Sequence, residues 1–467
     1  MRLTADVLSK IPDVRIINEE LIRRAAFAGI SIDSRKCRRN DLFFAIKGER
    51  FDGHDFVKDV FHRGVKAVVV DKKWFSDKGS KLNSSFKNRV FVLVNNTLTA
   101  LGELACSYRD NFLMPVLAVG GSNGKTTTKD FVAYVLSKKY SVHNTEGNYN
   151  NAIGVPLTVL GMSNEHDMSV VEIGTNHFGE IKNLCRIVKP QFGLLTNIGR
   201  EHLEFLKNIN GVIKEEFELV NYLKDNYGTF FLNNDDRYIS KKTERRKVKV
   251  FTFGKNRKNN VTGKIIRFDK FYPIVEIKYK DSVIRSRLNM IGSQSFDSAL
   301  CAAAIGFYFD VPATRIKMAL SEFQRCGTKR NELICPEGVW IIDDTYNSNP
   351  DSVLAALNNL KKYKIGGKKH IVLADMLELG KAGKKEHTGI GKLVKELGFD
   401  NLYTYGEASY NTYKGARGVK NNFYFLDKRT LTLFLNNIIK RNDIVLIKGS
   451  RSMRMEEVVG SLKARRT

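Results

Sequence analysis

The sequence predicts an α/β protein of three domains, and three observations carry that expectation. Short apolar runs alternate with helix-period segments along most of the chain, the pattern of sheets joined by crossover helices. At 467 residues the chain exceeds what one core of ordinary size organises. The run Val116-Leu117-Ala118-Val119 passes through a Gly-rich turn into a helical pattern at Phe131, Val132, Val135 and Leu136, which marks a central parallel sheet with a ligand-binding turn. The expected divisions are a small N-terminal α/β domain over 1–96, a central parallel-sheet domain over 97–312, and a C-terminal Rossmann-like domain over 313–467.

In the first of these, Ile30–Lys36 alternates and ends in polar groups, and Asp41–Gly48 reads as a buried strand. The turn Asp52-Gly53-His54-Asp55 starts a helix at Phe56, Val57, Val60 and Phe61, and Val65–Val70 is another strand. Arg35 and Lys47 sit at strand ends, where ligands of open sheets bind; ordinary surface charge accounts for them equally well. Asn95-Asn96 is a linker into a helix over Leu98–Tyr108. Beyond the Gly-rich turn lies an Asn-rich stretch, Thr145–Pro156, whose amides could bond phosphate or carboxylate or simply form a turn. Met168–Asn176 is a strand that delivers Glu172 near its end, and Phe192–Gly199 is a strand followed by Arg200-Glu201-His202. The alternation over 247–290 predicts antiparallel hairpins appended to the central sheet, and Gly292–Phe309 is an Ala-rich helix. In the last part, strands are expected at Val339–Asp343, His370–Ala374 and Asp443–Ile447, with a helix after Pro350. The polar clusters Asp344–Asn349, Asp375–Gly380 and Lys448–Arg454 follow those strands and share the crevice of a doubly wound sheet.

Gly121-Ser122-Asn123-Gly124-Lys125-Thr126-Thr127 has the chemistry of a P-loop. Successive N–H groups of such a turn point into one concavity at the positive end of a helix. Gly121 and Gly124 allow the backbone to approach a phosphate, Lys125 brings charge to the β/γ-phosphates, and Thr126 offers a hydroxyl for Mg²⁺. The strict pattern wants Gly where Val119 stands, with Gly120 beside it. Glu172 occupies the place where such folds keep the acidic group for Mg²⁺. His202, just past a strand end, is a candidate metal or phosphate ligand.

The formal charge of +27 raises nucleic acid, a polyanionic substrate, or a composition rich in Lys as explanations. Basic runs such as Lys241–Lys247 carry no interleaved stacking aromatics, which favours composition plus an anionic substrate over nucleic acid. No apolar run approaches the roughly 18–20 residues of a membrane span. The N-terminal stretch carries Asp6 and Asp13 and is not expected to be a signal peptide. Six scattered cysteines, with no C-x-x-C, suggest neither disulfides nor zinc and point to the cytoplasm.

Together these motifs resemble the Mur ligases, ATP-dependent amide-forming enzymes of peptidoglycan synthesis. The resemblance runs through Asp33–Lys36, Phe43–Gly48 with Phe51–His54, Gly121–Lys129, Asn148–Pro156, Glu172–Ile181, Thr196–Glu204, Asp343–Pro350, Asp375–Gly380 with Glu386-His387, and Lys448–Val458. The Asp-Gly-His turn, Tyr346–Pro350 and Lys448–Arg454 are most similar to the branch that adds D-alanyl-D-alanine. The resemblance implies a UDP-binding N-terminal domain, a P-loop ATPase domain and a Rossmann-like third domain. It implies ATP and Mg²⁺ as cofactors, UDP-N-acetylmuramoyl-tripeptide and D-Ala-D-Ala as substrates, an acyl-phosphate intermediate, and a part in cell shape and division. By the same resemblance Ser34, Arg35 and Lys47 hold the UDP moiety, and Asn148, Asn151 and Thr175 serve the substrate. Thr126, Glu172 and His202 are metal ligands; Asp344, Asn347, Lys448 and Arg451 face the nucleotide; Lys125, His202, Glu216 and Lys448 carry the chemistry. A monomer is expected. The alternatives are another muramyl or folylpolyglutamate-type ligase, or a weakened homologue that only binds muramyl nucleotide.

Some positions depart from the family pattern. Relatives place a CO₂-carbamylated lysine at position 216, where this chain has Glu216. Lys214, two residues away, lies roughly 200° around a helix and faces elsewhere unless the helix adjusts by a turn. Ser295 and Ser298 stand where relatives carry Asn, and Gly120 and Ala374 where they often have Thr and Gly. A carbamate and a carboxylate present the same anionic oxygens to Mg²⁺, so Glu216 is expected to serve directly. Turnover in CO₂-depleted buffer should then be unchanged by added bicarbonate; stimulation would refute a direct role for Glu216.

Overall fold

The strand that leads into the Gly-rich turn, Val116–Gly120 (β6), is buried at every position, and its lack of polar alternation follows from helices covering both faces of a parallel sheet. The computed structural model describes residues 5–22, 27–48, 51–324 and 329–464; Cys326 and the first four residues of the N-terminal stretch lie outside them. The five described cysteines are all free thiols. Among the described residues three sheets form, and no helix is long and apolar enough to cross a membrane.

The N-terminal sheet contains β1 (Arg15–Ile17), β2 (Gly29–Ser31), β3 (Asp41–Phe44), β4 (Ala67–Asp71) and β5 (Val90–Val94), in the order β1-β5-β4-β3-β2. Only the β1–β5 pair is antiparallel. The strands are shorter than their apolar patterns suggest. β2 stops at Ser31 because Asp33 folds a turn, its Oδ1 accepting from the Arg35 N–H at 3.0 Å. β3 stops at Phe44, and Lys47 bridges back to Asp52. Asn96 is the N-cap of the helix Thr97–Arg109, accepting from Thr99 N–H. Thr97 ties this helix to the N-terminal sheet through Ala45 C=O and Asp71 Oδ1.

The central sheet adds β7 (Val142–Asn144), β8 (Met168–Glu172), β9 (Phe192–Leu195), β10 (Thr229–Asn233), β11 (Lys249–Gly254), β12 (Val261–Asp269), β13 (Tyr272–Tyr279) and β14 (Ser282–Arg287). Its order is β14-β13-β12-β11-β10-β9-β6-β8-β7. The stretch 247–290 is thus not antiparallel throughout. β11 pairs parallel with β10, because the helix Arg237–Thr243 crosses back between them. Antiparallel pairing begins only at β12–β13–β14, joined by two-residue turns whose leading residues, Lys270 and Lys280, have positive φ. The Ala-rich helix Gln294–Tyr308 packs on the P-loop helix Lys125–Leu136. Ala302, Ala303 and Ala304 are wholly buried, and small side chains let the helices approach closely.

The third sheet comprises β15 (Glu332–Ile334), β16 (Trp340–Asp344), β17 (Lys369–Ala374), β18 (Asn401–Tyr405), β19 (Asn421–Phe425) and β20 (Ile444–Lys448), ordered β15-β16-β20-β17-β18-β19. The three strands anticipated from apolar runs, β16, β20 and β17, are its adjacent middle members. The Asn- and Tyr-bearing strands β18 and β19 have no such signal.

Arg109 anchors the entry to β6. It is 2% exposed and its guanidinium donates to the carbonyls of Val188, Phe112 and Met114 at 2.9, 2.6 and 3.2 Å. Arg109→Met leaves these acceptors without a donor, and a loss of about 3 kcal/mol is expected. Urea unfolding of the full chain checks it; a loss below about 0.5 kcal/mol would refute the anchoring role.

Candidate active site

At the end of β6 the chain turns sharply. Gly121 has φ 105°, and a Cβ there would lie 2.6 Å from the Thr196 backbone nitrogen, so no other residue fits. Gly124, φ 78°, precedes the helix Lys125–Leu136. The turn rests on the end of β9: Ser122 N–H donates to Asn197 C=O at 2.8 Å, and Asn123 N–H to Asn197 Oδ1 at 3.0 Å. Lys125 Nζ folds over the turn to Gly121 C=O and, at 3.3 Å, Ser122 C=O, with Glu201 Oε2 at 3.6 Å.

Carboxylates crowd this turn. Thr126 Oγ1 donates to Glu172 Oε1 at 3.0 Å, and Asn150 Nδ2 donates to the same oxygen at 2.8 Å. Glu216 is fully buried on the other side, with Oε2 accepting from Gly121 N–H at 2.7 Å. Glu172 Oε2 and Glu216 Oε1 are buried with no partner. Burial pushes the Glu216 carboxyl up to about 7, with Lys125 opposing the shift. Burial also raises Glu201 against the pull of Lys125. Burial disfavours the Lys125 charge, yet Glu201, Glu216 and Glu172 outweigh it and hold the ammonium above the usual lysine range. Lys214 lies 5.6 Å over the Phe178 ring, away from the turn. Two departures from the family pattern meet here: a Cβ on Gly120 would fall 3.0 Å from Glu216 Oε2.

The third sheet reaches the same place. Asn349 caps the helix Pro350–Lys362 through its Oδ1 and offers Nδ2 to Asn123 Oδ1 at 2.8 Å. Lys448, 2% exposed, donates to Asp344 Oδ2 at 2.6 Å and Asn347 C=O at 2.8 Å. Arg200 grips Asp351 and Glu386 at 2.6 and 2.8 Å. The sequence-selected Asp344, Asn347 and Lys448 therefore form one cluster. Arg451 instead pairs with Glu456 at 3.0 Å, its side chain half-exposed. Ser295 donates to Gly292 C=O, and Ser298 shares a hydrogen bond with Thr128, so both serines are engaged internally.

In the N-terminal unit, Arg35 is largely exposed and paired with Asp33, while Ser34 and Lys47 lie on the same end of the sheet. Asn151 Oδ1 accepts from the Ile153 and Gly154 N–H groups at 3.1 and 2.9 Å, just before the helix Gly154–Leu160, and Thr175 donates to His177 C=O and Glu180. Within the Asn-rich stretch it is Asn150, rather than Asn148 or Asn151, that touches Glu172. Glu201, Arg200, Asn349 and Asn150 are the groups that sequence reasoning did not select. Each stood inside a marked stretch, Arg200-Glu201-His202, Asp344–Asn349 or Thr145–Pro156, but residue type alone did not single it out from its neighbours.

Thr126 and Glu172 supply a hydroxyl and a buried carboxylate oxygen without a partner. Among the described residues no three His, Cys, Asp or Glu side chains converge as a cage. That donor set fits Mg²⁺, which takes one or two carboxylates and completes its shell with phosphates and water.

A Gly-Lys-Thr turn of the P-loop kind at the end of a parallel strand, met by the third α/β unit through Asn349, defines the class of a nucleotide-dependent enzyme. Family models match in three blocks: Mur ligase family, catalytic domain, over 26–109; Mur ligase middle domain over 119–306; and Mur ligase, glutamate ligase domain, over 329–451. The UDP-N-acetylmuramoyl-tripeptide–D-alanyl-D-alanine ligase of Bacillus subtilis is 32% identical over 93% of both chains. That of Escherichia coli is 31% identical over 98% of both. A crystal structure of MurF from Acinetobacter baumannii superposes with a TM-score of 0.88 at 27% identity over 99% of both chains. The MurF ligase of Thermotoga maritima in complex with ADP gives 0.81 at 26% identity, over 93% of this chain and 97% of that one. The chain belongs to the Mur ligase family, ATP-dependent ligases that form an amide bond.

Glu216 ionises with more difficulty in the fold than in the unfolded chain. Wild-type stability relative to Glu216→Gln is therefore greatest below the ordinary value of 4.5 and falls as pH rises through about 7. The amide keeps an acceptor for Gly121 N–H, and Glu172 and Glu201 remain beside Lys125. Thermal melts at about pH 5 and about pH 8 should show the variant gaining on wild type at the higher pH; an unchanged gap would refute the burial of this charge.

Proposed function

We propose that the chain joins D-alanyl-D-alanine to UDP-N-acetylmuramoyl-tripeptide, with ATP cleaved to ADP and phosphate, as a cytoplasmic step of peptidoglycan synthesis. The observation that carries this is the phosphate cradle at Gly121–Thr126 with Asn349, on the strand-end face of the third sheet, bonded directly to Asn123. The near-complete coverage of relatives named for this reaction supports the choice of substrates.

In this reaction a carboxylate oxygen of the tripeptide attacks the γ-phosphorus. The bond to ADP breaks and an acyl phosphate forms. The amine of D-Ala-D-Ala attacks the acyl carbon, phosphate leaves, and the new nitrogen loses its extra proton. Phosphoryl transfer of this kind needs positioning and charge neutralisation more than covalent help. Lys125 exchanges the loop carbonyls it now holds for β/γ-phosphate oxygens, and the N–H groups of the turn take the remaining charge. Thr126 and Glu172 would hold Mg²⁺, with Glu216 and His202 toward a second ion; bound Mg²⁺ supplies further neutralisation of phosphate. Lys448, oriented by Asp344 and the Asn347 carbonyl, faces the nucleotide with Arg451. Ser34, Arg35 and Lys47 take the uridine diphosphate, and Asn148, Asn151 and Thr175 the muramoyl peptide. A monomer contains all of these groups.

Phosphate release with ATP, Mg²⁺, the tripeptide precursor and D-Ala-D-Ala should depend on the dipeptide and fall at least about 100-fold in Lys125→Met. Release no greater than in the dipeptide-free control would refute the assignment.

A further inference from the structure

His202 and Glu378 meet across the boundary between the central and third units. Both are non-glycine residues in the left-handed region, at φ 49° and 61°. Strained backbone of this kind persists only where surrounding contacts enforce it. The Glu378 carbonyl accepts from Glu204 N–H at 3.1 Å, and its Oε2 lies 2.5 Å from His202 Nδ1. A Cβ on Gly380, two residues on, would sit 3.0 Å from Glu204 Cα, so the two loops are in close contact.

An ionised carboxylate can only accept, so Nδ1 carries the proton in this pair. The other ring nitrogen, Nε2, faces inward. It lies 3.8 Å from Glu201 Oε2, which is itself 3.6 Å from Lys125 Nζ. With Nδ1–H engaged by Glu378, Nε2 is the nitrogen left on the P-loop side. The Glu378 side chain is 48% exposed, and a pair so open to water adds little to stability. Its consequence is orientation.

Resting on the ligase reading above, we infer that Glu378 is a positioning residue: from the third unit it sets the tautomer and direction of His202 in the central one. Seating of the third unit and completion of the phosphate-transfer site then become one event. Partners of this kind change affinity or rate by about 10- to 100-fold when removed from a ligating histidine.

The test compares Glu378→Leu with Glu378→Gln in the full chain. The amide oxygen of Gln still accepts from Nδ1–H; Leu cannot. In ¹⁵N-histidine-labelled protein without metal or nucleotide, held near pH 8, wild type and E378Q should show His202 protonated at Nδ1. E378L should shift toward the Nε2–H form, with His202→Asn used to assign the signal. In the ligase assay E378L should lose about 10- to 100-fold in kcat with KM for the muramoyl precursor within about twofold, while E378Q stays within about fivefold of wild type. An unchanged His202 signal in E378L, or equal loss of kcat in both variants, overturns the inference. A wild type without ligase activity would refute the proposed reaction, while the nitrogen spectra would still decide the role of Glu378.

Discussion

A lysine inside a protein keeps its charge only where negative groups surround it, and much of this molecule is arranged around that constraint. Lys125 is held by the carbonyls of its own turn and ringed by Glu172, Glu201 and Glu216. These carboxylates come from three separate places: the end of β8, the loop after β9, and the helix Ile209–Glu216. Lys125 and the carboxylates offset the cost of one another's burial, whereas Glu201 opposes the ionisation of Glu216. The chain as a whole carries a formal charge of +27, yet carboxylates crowd its central turn. Net charge therefore says nothing about the chemistry within.

The same turn couples the units to one another. Its Asn123 accepts an amide N–H from Asn349, which simultaneously caps a helix of the third unit. Arg200, on the loop that presents Glu201 and His202, is clasped by Asp351 and Glu386. The arginine clasp and the Glu378–His202 contact thus converge on the loop after β9, while the helix cap meets the Gly-rich turn after β6 that rests on it. The third unit thus rests on the same two loops that carry Lys125 and His202.

Much of this was legible from the sequence wherever chemistry is local. The strand-turn-helix at Val116–Leu136 was readable because φ-permissive glycines, a lysine and a threonine follow one another, and Glu172 because it closes an apolar strand. The middle strands of the third sheet were readable as unbroken apolar runs. Parallel pairing of β11 was not, since alternation alone reports a half-exposed strand and is blind to its direction. Asn150 could not be chosen over Asn148 and Asn151, because three amides in one turn differ only in where the folded backbone aims them.

Sequence alone determined the Gly-rich strand-to-helix turn, the family and the identity of the acidic and cationic groups, because those depend on residue type at short spacing. Only the tertiary structure decided that Glu216 bonds the turn at Gly121 while Lys214 faces away, that Gly120 leaves room for it, and that Glu378 meets His202 from 176 residues along the chain. Contacts between distant segments are set by how sheets and helices pack, and packing directions are a property of the whole core that no short stretch encodes.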